Sequence, residues 1–228
     1  MKKLALILST VLCVILFNSC KDKDPEAETN NTTASTALIT ELKNYTGKTA
    51  NEVQATLEGK GYNLLTNYTD NGVTVYVYLA SNYSSMYLLG EAKNLICVTG
   101  YSTVCNSKDT AYNYFEKYSA ECVARMKGEN YTYEADYELI NGDDSTFTNR
   151  PSFLSFYNQN KENITSCEED WISETENIGS LYDCGNGSIN AVMMYMDVAL
   201  TPPAFYEKNK GKSLFDISHI NKLNISKK

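Results

Sequence analysis

The chain has 228 residues, with 28 acidic side chains against 20 basic ones, a single histidine, a net charge of −8 and 43% hydrophobic content. That much apolar material supports a packed core and excludes wholesale disorder. The acidic balance excludes a nucleic-acid backbone as partner, because that surface selects for clustered Lys and Arg.

Met1-Lys2-Lys3 is a short basic start, residues 4–17 are an apolar run, and Asn18-Ser19 precede Cys20. The run is shorter than the ~18–20 residues that cross a bilayer, so residues 1–19 read as a cleaved signal peptide. Phe17-Asn18-Ser19-Cys20 resembles the lipobox of bacterial lipoproteins, in which the cysteine becomes the lipid-bearing N-terminus. Asn18 departs from the commonest pattern, which has Ala, Ser or Gly there. The following Lys21-Asp22-Lys23-Asp24-Pro25-Glu26 resembles the Lys/Asp-rich export signal of Bacteroidetes-type lipoproteins. This resemblance implies lipidation at Cys20, attachment to the outer membrane through that lipid, and exposure at the cell surface, with a periplasm-facing protein as the alternative. Residues 26–36 are polar without periodicity, so 20–36 is expected to be a lipid anchor and flexible tether.

Leu38, Ile39 and Leu42 predict a short helix, and Thr49 with Glu52 a capping box opening a second one on Val53 and Leu57. The stretch Gly47-Lys48-Thr49-Ala50 to Gly61-Tyr62 is faintly similar to the helix of PASTA modules, but the residues after Tyr62 lack the strand pattern of that family, so nothing is carried over. After Gly61 the period falls to two. Val73, Val75, Val77 and Leu79 alternate with Thr74, Tyr76 and Tyr78 behind the hairpin turn Asp70-Asn71-Gly72. Residues 86–89 and 95–98 predict two more strands, joined around Gly90-Glu91. From Ser107 to Lys127 the apolar spacing is helical, with Ala111, Tyr114, Phe115, Tyr118, Cys122 and Met126 on one stripe and Gly128 as the stop. Tyr131, Tyr133 and Tyr137 then sit on the apolar side of a strand that ends at Asn141-Gly142. Residues 150–162 fit a helix by their aromatic spacing and an edge strand by Pro151. Residues 189–200 predict a closing strand before Pro202-Pro203.

Loss of residues 1–19 leaves a charge of −10, distributed unevenly: residues 201–228 hold six Lys against Glu207 and Asp216. A basic tail on an acidic body folds back on it or meets an anionic partner or headgroups. The order helix, Lys-Gly, Tyr-bearing strand, Asn-Gly occurs twice, at Lys60-Gly61 to Gly72 and at Lys127-Gly128 to Gly142. The expected fold is therefore α+β: an antiparallel sheet with two or three helices packed on one face, with two tandem helix-plus-sheet units as the arrangement the echo allows. Such a tandem is similar in layout to the beta-lactamase-inhibitor-like lipoproteins. The divisions are 1–19, 20–36, a helical hairpin and β-meander at 37–105, a helix and strands at 106–200, and the tail at 201–228.

Cys97, Cys105, Cys122, Cys167 and Cys184 remain after Cys20, an odd number that permits at most two disulfides; Cys167 with Cys184 is the preferred bridge because it would close a polar, turn-rich segment. The cysteine spacings are not those of zinc ligands, and no metal or cofactor is expected. His219 lies in the tail and lacks an orienting partner, which argues against a Cys-His nucleophile. The adjacent carboxylates Glu168-Glu169-Asp170 point to alternate faces of a strand, so no catalytic pair can be assigned, and no phosphate loop or nucleophile elbow is present. Asp109-Thr110-Ala111 and Asp144-Ser145-Thr146 resemble the acceptor sequence for O-glycosylation in Bacteroidetes exported proteins, which implies modification at Ser145, in a predicted turn, ahead of Thr110, which starts a helix. The 18 tyrosines against 7 Phe and 1 Trp favour a recognition surface, and Tyr76 and Tyr78, opposite the valine row, are expected to face outward or into a second packed layer. The leading expectation is a non-catalytic, membrane-anchored binding module for a glycan or protein. A structural or inhibitor-like docking protein and a carboxylate hydrolase are the alternatives.

Overall fold

The computed structural model describes residues 37–184 and 189–209, so the expected signal peptide, Cys20, the tether, His219 and residues 210–228 of the basic tail lie outside the described residues. Two short helices come first, α1 (Leu38–Tyr45) and α2 (Ala50–Gly59). The capping box forms: Glu52 N–H donates to the Thr49 hydroxyl at 3.3 Å, and Thr49 N–H donates to the Glu52 carboxylate at 2.8 Å.

Four strands follow as a meander: β1 (Tyr62–Asp70), β2 (Val73–Ala80), β3 (Ser85–Ala92) and β4 (Leu95–Val104). Asn71 and Gly72 take φ values of 43° and 82°, the left-handed backbone of a two-residue hairpin. The β3–β4 turn falls at Lys93-Asn94, not at Gly90-Glu91. Gly90 lies inside β3, where a Cβ would stand 2.9 Å from Val73 Cγ1, so its missing side chain serves close packing and not a turn.

The long helix α3 (Lys108–Met126) is capped by the Ser107 hydroxyl, which accepts from Thr110 N–H. It is followed by the hairpin β5 (Thr132–Leu139) and β6 (Asp144–Phe147). The ambiguous stretch is helix α4 (Arg150–Asn160), because Asn149 caps it and Pro151 sits in the first turn, where a missing N–H removes no helical hydrogen bond. After a 3₁₀ turn come β7 (Ile164–Ile172), β8 (Glu176–Asp183), β9 (Asn190–Asp197) and α5 (Pro203–Asn209).

All nine strands form one antiparallel sheet in the order β1-β2-β3-β4-β9-β8-β7-β5-β6. The α+β class holds, with five α-helices among the described residues where two or three were expected. Helices α1 to α4 bury one face, through residues such as Leu42, Leu57, Phe115 and Phe153. Helix α5 brings Phe205 to the opposite face. β4 pairs directly with β9, so one continuous sheet runs through both 37–105 and 106–200. The repeated punctuation does not produce repeated positions: β2 lies inboard of β1, whereas β6 lies outboard of β5 at the sheet edge.

Candidate functional site

Tyr76 and Tyr78 do not face outward. Their side of β2 is the helix-covered one, where Tyr78 is 1% exposed in the same buried cluster as Val53 and Leu57 of α2. Tyr76 is half-buried against it and donates to Glu91 at 3.0 Å. Tyr78 is therefore part of a second packed layer and offers no recognition surface. Of the other strand tyrosines, Tyr133 is core and donates to Glu169 at 2.8 Å, while Tyr131 falls just before β5 and is exposed.

The Cys167–Cys184 bridge is also not formed; all five described cysteines are free thiols. The segment it was to close is the β7–β8 pair, already held by its ladder, with Cys184 N–H donating to Thr165 O at 2.8 Å. Burial pushes the Cys97 and Cys105 thiols up to about 11, and Cys122 and Cys167 well above their usual range, so none of these four is a thiolate nucleophile at neutral pH. Of the O-glycosylation candidates, Ser145 is exposed on edge strand β6 and not in a turn, and Thr110 is exposed in the first turn of α3. Among the described residues, no group of three or more His, Cys, Asp or Glu side chains is placed to hold a metal, and no helix is long and apolar enough to cross a membrane.

Two features of the surface remain. The first is a cavity of about 520 Å³ at the end of the helix-covered face, between the start of α1, the ends of β3 and β4, and α3. Tyr87, Tyr101, Tyr114 and Tyr118 line it together with Ser84, Thr103, Asn106, Thr110 and Lys117. Their order is enforced by packing: the Tyr87 and Tyr101 rings meet edge to face at 4.8 Å, and the Tyr114 and Tyr118 rings lie 5.9 Å apart. The Tyr118 hydroxyl shares a 2.7 Å hydrogen bond with Thr103, and Tyr62 links Ser85 and Tyr101 by hydroxyl contacts of 2.9 and 3.4 Å. Tyr101 and Tyr114 are only half-buried, leaving their rings at the mouth. Burial, reinforced by the Tyr62 hydroxyl against an opposing bond to Ser85, pushes Tyr101 up to about 12, and burial raises Tyr118 as well. Both are therefore neutral phenols, able to donate.

The second feature is on the opposite face. Strand pairing sets Glu138 against Asp144, Asp136 against Glu168, and Glu134 against Asp170, three carboxylate pairs across β6, β5 and β7. Directly opposed side chains in an antiparallel pair stand ~4.5–5.5 Å apart, and like charges there are destabilising. Asp136, Glu138, Asp144 and Glu168 line a cavity of about 360 Å³ with Leu181. Burial, then Asp170 and Asp136, pushes the Glu168 carboxyl well above its usual range; burial, then Asp136 and Glu134, does the same to Asp170. Gly179 makes room for the latter, since a Cβ there would lie 2.7 Å from Asp170 Oδ1.

The carboxylates on the helix-covered side, half-buried Glu41 and buried Glu169 and Glu176, are treated differently. Glu41 meets Lys60 at 2.8 Å, Glu169 meets Arg150 at 3.0 Å, and Glu176 meets Arg125 at 2.6 Å and Lys43 at 3.2 Å. Glu168 Oε1, Asp170 Oδ1 and both polar atoms of Asn177 have no such partner among the described residues.

The sequence reading missed both features. Acids at i and i+2, as in 134/136/138 and 168/170, share one face of a strand, and that spacing was the available signal. The pocket tyrosines come from β3, β4 and α3, and no local spacing announces their convergence. No protein-family model, curated protein or solved structure matches this chain.

Proposed function

We propose that the chain is a lipoprotein of the cell envelope, held in the outer membrane by a lipid on Cys20 and facing the cell surface, that binds a glycan without catalysis. The tyrosine-lined cavity carries this reading. Its volume falls in the range of small-ligand sites, and aromatic rings at the mouth take the C–H faces of a sugar while Ser84, Thr103, Asn106 and Lys117 meet its hydroxyls. A concave, hydroxyl-rich pocket of this size suits a glycan better than a flat protein surface.

Binding of the intact chain to a glycan array tests it. Tyr101→Ala and Tyr114→Ala should each weaken binding about 3- to 10-fold, the loss of one stacked aromatic contact. Tyr131→Ala, at an exposed ring away from the pocket, should leave binding intact. An array on which the wild-type chain captures nothing sinks the glycan reading. Protease shaving of intact against lysed cells tests the orientation, and cleavage only after lysis would move the protein to the periplasmic side.

One observation favours a second reading, a carboxylate hydrolase: the smaller cavity holds the facing pair Asp136 and Glu168, with Glu168 held toward its protonated form and so suited to a general acid. Under that reading, Glu168→Gln abolishes hydrolysis of an aryl glycoside by the wild-type chain; no turnover by the wild type rejects it.

A further inference from the structure

The face carrying the acidic array is bipartite. Across β2, β3, β4 and β9 it presents Val75, Val77, Leu88, Val98, Val192 and Met194, all at most 1% exposed; across β7 and β5 it presents the carboxylates. Among the described residues, the non-sheet side chains in this apolar cluster are Leu200, Phe205 and Tyr206, at or just before helix α5. That helix has seven residues and is about 10 Å long, whereas the six strands from β2 to β7 span about 24 Å. So short a helix does not account for the burial of Met194 near the middle of the sheet, nor for that of Glu168 and Asp170 beyond it.

We propose that residues 210–228 fold back across this face of their own chain, with their apolar side chains on the valine–methionine half and their lysines on the acidic array. The path has a fixed origin: the Lys208 ammonium lies 2.8 Å from Asp70, which ties the end of α5 to the β1–β2 turn, at the opposite edge from β5 and β6. From there to β5 is about 34 Å. The nineteen residues reach about 28 Å as a helix and about 63 Å extended. Their order matches the order of the face they would cross. Lys210 and Lys212 lie at the origin of the path and Lys222 within the apolar run, whereas Lys227 and Lys228 follow Leu214, Phe215, Ile217, Ile220, Leu223 and Ile225, as the acidic strands follow the apolar ones. Charge matches as well, since the segment holds five Lys against one Asp. Lysine heads near Glu134, Asp136, Glu138 and Asp144 relieve the repulsion that three facing carboxylate pairs otherwise sustain. The inference stands apart from the glycan pocket, which lies on the other face.

Zero-length carbodiimide coupling of the full chain, read by mass spectrometry, tests it. Amide links should join Lys227 or Lys228 to Asp136, Glu138 or Asp144. Ile220→Asp/Leu223→Asp keeps every reactive group but removes the apolar docking, and should abolish those links. A chain ending at Asn209 should bind a hydrophobic dye several-fold more strongly, and a synthetic 210–228 peptide should reverse the gain. Tail lysines that link to no carboxylate of β5 or β6 would overturn the proposal. So would links to Lys21 or Lys23 instead, which make the amino-terminal segment the occupant, or links between light and heavy copies in a mixed sample, which make it a second chain's tail.

Discussion

At the scale of single residues, the tyrosine excess has a structural use as well as a binding one. Under the helices, tyrosine hydroxyls hydrogen-bond carboxylates: Tyr87 donates to Glu41 at 2.5 Å, Tyr45 to the same oxygen at 2.8 Å, and Tyr133 to Glu169 at 2.8 Å. Phenylalanine would fill the same volume and leave each acid short of a donor. Burial pushes Glu41 up, but the Lys60 ammonium and the Tyr87 and Tyr45 hydroxyls outweigh it and hold the carboxyl below its usual range. A carboxyl lowered in the folded state stabilises above its unfolded pKa, and that stability is lost as pH falls through the lowered value. Tyr87→Phe should therefore cost about 1.5 kcal/mol at pH 7, the low end for a bond to a partly exposed charged group. Urea midpoints of variant and wild type should converge as pH falls through the lowered Glu41 value, below which the carboxyl is protonated in both. A gap that stays constant with pH would assign the loss to packing alone.

Strand β7 shows the opposite sign. Burial, then Asp170 and Asp136, raises Glu168, so the folded state favours its protonated form. The stability tied to that proton is fully present below the ordinary carboxylate value and is lost as pH rises toward the raised one. Glu168→Gln should make the chain more stable at pH 8 by an amount on the order of 1 kcal/mol, with little change at pH 4, as thermal melts would show. A variant that melts lower at pH 8 would mean the ionised carboxylate has a cation beside it. The same strand explains where sequence reading stopped. Elements whose punctuation is local were legible: the Thr49–Glu52 box, the Ser107 start of α3, the Asn71-Gly72 hairpin. Between Cys167 and Cys184 the sequence reads as a polar, turn-rich segment, whereas the structure runs most of β7 and all of β8 through it. Glu169 is paired with Arg150 from α4, a contact nineteen residues away in sequence that no local pattern discloses. The Lys93-Asn94 turn was missed for a similar reason, since lysine at positive φ carries no turn signature. Tyr76 and Tyr78 were correctly placed opposite the valine row, but which face the helices cover is decided by packing across the sheet.

For the whole molecule, the consequential contact is the seam between β4 and β9. It joins two runs of strands that are separated in sequence, and the helices are laid across it. α1, from the first half, packs on β9 as well as β4, and its Lys43 reaches Glu176 of β8, which also takes Arg125 from α3. Glu176 is thus a buried charge satisfied from both halves, and separating them leaves it with one partner fewer. A fragment of residues 37–105 would expose the β4 edge and the underside of α1, a long unpaired edge beside apolar surface. We predict that this fragment does not fold alone and that the intact chain unfolds in one transition. In urea, the tryptophan fluorescence of Trp171, in β7, and far-ultraviolet circular dichroism should give the same midpoint. Earlier loss of circular dichroism than of fluorescence would show the first half melting by itself and would restore a boundary near residue 105. Lys43→Met separates the alternatives further: it removes an ion pair that bridges the halves, so in a single cooperative unit it lowers both midpoints equally, whereas in two units it shifts them apart.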